Sequence, residues 1–117
     1  MDLELAVSTF EAFSERQQVH FLSRLGHHIT ILGRDGYEVG GDSLTKPELL
    51  RTVNELHHQI FGQQGKLLRG DSKRYPDDTL IQGLYERADY QGYGEELLKC
   101  LGSAFEFCAR FPMESSE

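Results

Sequence analysis

Apolar residues recur every three or four positions in five stretches of this chain, and that spacing restricts the fold to packed helices. The fifth stretch is the clearest: Leu97, Leu98, Leu101, Ala104, Phe105 and Cys108 share one face before Pro112 ends the pattern. In the first, Leu3, Ala6, Val7, Phe10 and Phe13 line one side. Continuing that phase would bring Gln17 and Gln18 into the core, so the helix breaks near Ser14. There Ser14-Glu15-Arg16-Gln17 reads as a capping box, in which hydroxyl and amide satisfy unpaired backbone donors. A second helix then restarts at Val19, Leu22, Leu25, Ile29 and Leu32.

The end of that second helix has a rival. Ile29 to Leu32, Gly33 to Gly36 and Tyr37 to Val39 also fit a β-hairpin. A lone hairpin is marginal and no third strand is visible, so the helical reading is preferred, with a glycine loop from Gly36 to about Ser43. Thr45-Lys46-Pro47-Glu48 then supplies an N-cap, an early proline and a capping-box glutamate. Leu49, Leu50, Val53, Leu56, Ile60 and Phe61 follow, and the helix reaches Leu67–Leu68 through Gly62 and Gly65, where a bend is expected. A fourth helix starts at Pro76-Asp77-Asp78 with the stripe Leu80, Ile81, Leu84, Tyr85 and Ala88, and Gly92-Tyr93-Gly94 turns into the fifth. Short connections make neighbouring helices antiparallel. The expected fold is an all-α, single-domain antiparallel bundle of four to five helices over residues 1–112, with 113–117 a disordered tail.

A length of 117 residues suits one such domain without disulfide or metal support. No apolar run approaches the ~20 residues that span a bilayer, and Met1-Asp2-Leu3-Glu4-Leu5 lacks the basic opening of a signal peptide, so the cytoplasm is expected. Cys100 and Cys108 lie on one helix about 12 Å apart, too far for a disulfide, and read as inert core thiols. A net charge of -7 opposes binding to nucleic acid or to anionic membranes. The run from Lys66 to Arg74 holds four bases against Asp71, which the negative end of the third helix accounts for.

Histidines are the first candidates for chemistry. Glu55 and His58 form a Glu-x-x-His pair, and His20, His27 and His28 sit on the second helix. A metal or small-ligand site built from Glu55, His58, His27 and His28 is one expectation, although bundle di-metal sites need a second such motif, which the chain lacks. The competing expectation is that each adjacent pair, His27–His28 and His57–His58, straddles its helix with one ring hydrogen-bonded inward and the other solvated. No phosphate-binding glycine pattern, nucleophile elbow or cofactor motif occurs, so neither an enzymatic role nor a cofactor is expected.

Tyrosine is the unusual residue. Tyr75, Tyr85, Tyr90 and Tyr93 fall within nineteen residues that also carry Asp77, Asp78, Glu86 and Asp89. A tyrosine combines a large apolar ring with a polar tip, and surrounding acids steer a basic partner. Tyr75, Asp77, Asp78, Tyr85, Tyr90 and Tyr93 are therefore the expected interface, serving a protein partner or self-association. Arg74-Tyr75-Pro76-Asp77-Asp78 resembles the region of colicin-type immunity proteins where tyrosine, proline and acids meet. That family consists of small acidic helical bundles that mask basic nucleases, which the resemblance would imply here. The family pairs two tyrosines before its proline where this chain has Tyr75 alone.

Overall fold

The computed structural model describes residues 1–39, 45–69 and 78–112, with side chains described for 1–34, 50–69 and 80–112. It contains five helices: α1 (Leu3–Ala12), α2 (Glu15–Val39), α3 (Thr45–Leu68), α4 (Asp78–Tyr90) and α5 (Gly94–Arg110). No strand occurs among the described residues. The all-α bundle expected from the apolar spacing is the fold found.

Local chemistry sets the boundaries. Asp2 caps α1, its carboxylate accepting from the Leu5 amide at 2.8 Å. The chain then breaks, and the capping box forms as the residues predict. The Ser14 amide donates to Gln17 Oε1 at 2.8 Å, and the Gln17 amide donates to Ser14 Oγ at 3.2 Å. Between α4 and α5 the chain reverses through a Schellman turn. The Tyr93 amide reaches back to the Ala88 carbonyl and the Gly92 amide to that of Asp89, while Gly92 adopts φ +89°, a conformation that costs glycine little.

One boundary differs from the sequence expectation. α2 runs unbroken to Val39, through Gly36, which the sequence reading assigns to a loop, while Gly40 to Ser43 lie outside the described residues. α3 is seated on it: a Cβ at Gly33 would come within 3.1 Å of Val53, and one at Gly26 within 2.9 Å of the Phe61 ring. Spaced seven residues apart, these glycines let α3 approach α2 closely, and that packing outweighs the ~1 kcal/mol each costs in helix propensity. α3 continues through Gly62 and Gly65 to Leu68, as the sequence reading expects. The N-cap expected at Thr45 lies among side chains outside those described.

Helices α2 to α5 form a closed ring in which α2 packs on α3 and α5, and α4 on α5 and α3; α1 lies across α4 and α5. The directions follow from particular contacts. Gln64 donates to the Val19 carbonyl and Val53 touches Gly33, so α3 is antiparallel to α2. Phe21 stacks on Phe105 while the Cys100 thiol faces the His28 carbonyl, so α5 is antiparallel to α2 as well. The ring encloses Leu22, Leu25, Ile29, Leu56, Ile60, Ile81, Leu84, Leu97 and Leu101, all at most 1% exposed. At one end Phe10, Phe13, Phe21 and Phe105 cluster, with Phe21 and Phe105 4.2 Å apart and nearly parallel.

The stripes expected to be buried are so in their centres. Val19, Leu32, Leu80, Tyr85, Leu98 and Cys108 pack against the core from its margin, half-buried. Gln18 corrects the expectation that no glutamine enters the core. It is 2% exposed, and its Nε2 donates at 3.1 Å to the Phe10 carbonyl, which also accepts the Phe13 amide at the end of α1.

Candidate functional site

Among the described residues, polar or exposed aromatic side chains gather at the second-helix histidines, in the groove between α3 and α4, and at the tyrosine-bearing end of α4. The helical repeat decides where each histidine points, and adjacent pairs diverge as the second of the two sequence readings expects. His57 turns toward α2, where its Nε2 lies 3.1 Å from the Gly26 carbonyl and 3.0 Å from Thr30 Oγ1. Thr30 Oγ1 itself donates to the Gly26 carbonyl at 2.9 Å. One scheme satisfies all three contacts: the His57 Nε2–H is shared between the hydroxyl and the carbonyl oxygen. The His57 ring also stacks on Phe61, making it a latch between helices. His58, the next residue, is exposed on the groove side.

The second pair divides likewise. His28 faces α5 beside Ile31, Leu32, Glu96, Lys99 and Cys100, whereas His27 is exposed. Arg24 Nε donates to His28 Nε2 at 3.3 Å, and its guanidinium lies 4.0 Å above the Phe107 ring. Burial, then the positive charge of Arg24, then that of His27, hold the His28 imidazole below its ordinary pKa, so it stays a neutral acceptor. His20 closes the far end of α5, its Nε2 3.1 Å from the Phe111 carbonyl.

The expected metal set is therefore not gathered. Glu55 and His58 line the α3–α4 groove, and His28 lines the seam between α2 and α5. No three histidine, cysteine or acidic side chains among the described residues lie close enough to hold a metal ion. The physical reason is angular: a Glu-x-x-His pair on one helix converges with second-helix histidines only when both faces point into the core, and here both point out of it.

Neither thiol is activated. Burial, reinforced by nearby Glu96, pushes Cys100 up to about 11, and burial raises Cys108 against the opposing charge of Arg24. Both are free cysteines.

Of the expected interface residues, Tyr75 and Asp77 and the side chain of Asp78 lie outside the described residues. The other three separate. Tyr85 and Tyr93 lean against the core, half-buried, while Tyr90 projects from the last turn of α4 with 83% of its surface exposed. Glu86, one turn earlier, Asp89 and Glu95 are exposed as well. Other exposed apolar side chains, Leu68 at 72% and Phe61 at 48%, lie on α3.

The feature that sequence reasoning missed is the groove between α3 and α4. It is lined by Leu50, Arg51, Asn54, Glu55, His58, Gln59 and Arg87, is an open hollow of about 650 Å³, and continues past Gln59 into a second of about 490 Å³. Across it, Arg87 Nε approaches Glu55 Oε1 at 3.6 Å, with both side chains substantially solvated. The α3 residues repeat at positions 51, 54, 55, 58 and 59, a polar stripe with helical period that reads from sequence alone as an ordinary solvated face.

Family models, curated proteins and solved structures give no match to this chain. No helix among the described residues is long and apolar enough to cross a membrane.

Proposed function

We propose that this chain is a non-enzymatic interaction domain that engages a protein, either a basic partner or a second copy, through the tyrosine-bearing end of α4. The observation that carries this reading is Tyr90. A large aromatic ring left 83% exposed on a well-anchored helix end costs apolar hydration that burial against a partner would recover. The turn behind it anchors the backbone of that helix end. Glu86, Asp89 and Glu95 are exposed in the same stretch of chain, and their negative charge favours encounter with a basic surface. Unactivated thiols and scattered histidines support a role without covalent chemistry. The unpaired cysteines suit a reducing compartment such as the cytoplasm.

The test pairs sedimentation with co-purification from native lysate, for the wild-type chain and for Tyr90→Ala. An assembly or a stoichiometric partner is expected for the wild type, with at least about tenfold weaker association for the variant. A wild-type chain that sediments as a monomer and retains nothing, or an assembly indifferent to Tyr90→Ala, would refute the reading.

A further inference from the structure

The groove between α3 and α4 has a character unlike the rest of this surface. The chain carries a net charge of -7, yet the groove collects Arg51, Lys66 and Arg87 against the one carboxylate of Glu55. Arg51 and His58 stand two turns apart on the same face of α3, roughly 10 Å along the axis, with Asn54 between them. Arg87 answers from α4, tethered by Glu55 so that part of its guanidinium fork remains for another acceptor.

The floor is equally distinctive. A Cβ placed on Gly62 or Gly83 would meet nothing within 4 Å, so side-chain volume is missing from both walls at mid-groove. Beside them Gln63 is only 9% exposed, and its shielded Nε2 donates to no acceptor among the described residues. The combined hollow has the size of small-molecule sites, and guanidinium, ammonium, imidazole and amide donors stand in its lining beside the apolar side chains of Leu50 and Leu80.

We propose that this groove binds a small molecule bearing carboxylate or phosphate groups, held by Arg51 and Arg87 at one end and by Lys66 at the other. Arginine grips either group bidentately, while the lysine acts as a point charge that tolerates different lengths of ligand. Glu55 keeps Arg87 in place and repels an anion that approaches along its own side, which sets an orientation. The site lies on different residues from the Tyr90 surface, so the two readings stand or fall separately.

Two-dimensional amide NMR of the full chain at low ionic strength tests this, with citrate and inorganic phosphate titrated separately. Saturable shifts are expected at Arg51, His58, Gln63 and Arg87 for at least one anion, and which anion saturates identifies the preferred group. Arg51→Gln and Arg87→Gln should each weaken binding about tenfold, whereas Lys99→Gln on exposed α5 should leave it unchanged. Glu55→Gln, which removes the repulsion, should tighten it. Unsaturated, linear shifts with both anions up to 20-fold excess over millimolar range (about 20 mM), or equal weakening by Lys99→Gln, would overturn the proposal.

Discussion

His28 illustrates how a single side chain ties this fold to pH. Its acceptor nitrogen is engaged by Arg24, with His27 beside it and Glu96 and Lys99 across the seam on α5. Because its folded pKa lies below the ordinary 6.5, the unfolded chain binds the proton more readily. The stability contributed is fully present above 6.5 and is lost as the pH falls from there toward the folded value. Urea denaturation midpoints should therefore drop between about pH 7.5 and 5.5. His28→Gln, which keeps an acceptor but cannot titrate, should flatten that decline, and an identical slope in the variant would assign the effect to other histidines. His57 works differently: its donated Nε2–H ties α3 to the Gly26 carbonyl, and the geometry needs that tautomer whatever the state of Nδ1.

At the scale of the element, the turns carry unequal weight. The Schellman turn after α4 depends on Gly92 at φ +89°, where a Cβ is strained although the space around it is open. Gly92→Ala should cost about 1 kcal/mol of folding stability, measured by chemical denaturation, while helical content is retained. The same variant shifts the stalk that presents Tyr90, so any partner bound through α4 should be weakened as well. α2 shows the opposite use of glycine: Gly26 and Gly33 sit in ordinary helical backbone, and their value lies in the absence of a side chain beneath Phe61 and Val53.

Across the whole molecule, the aromatic cluster of Phe10, Phe13, Phe21 and Phe105 fastens α1 and the break at Ser14 to the α2–α5 ring. Phe21 touches all three others and is 0% exposed. Phe21→Ala should cost about 3–5 kcal/mol, a large share of the stability of a domain this size, seen as a lowered Tm in calorimetry. A loss below about 1 kcal/mol would mean that α1 is not integral to the fold.

Helical spacing in the sequence was enough to determine the class of fold, the break at Ser14 and the stripe centres. Each of these follows from a local period or a cap whose partners lie within four residues. What lay beyond that range was decided by packing. α2 persists to Val39 because α3 rests on its glycines, and Gln18 is buried where its amide meets the Phe10 carbonyl at the end of α1. Glu55 and His58 face a groove rather than a metal because α4 supplies Arg87 opposite them. A sequence records which residues share a face of one helix; which face of another helix meets them depends on how rods of side chains interlock, and that is settled only when all of them exclude water together.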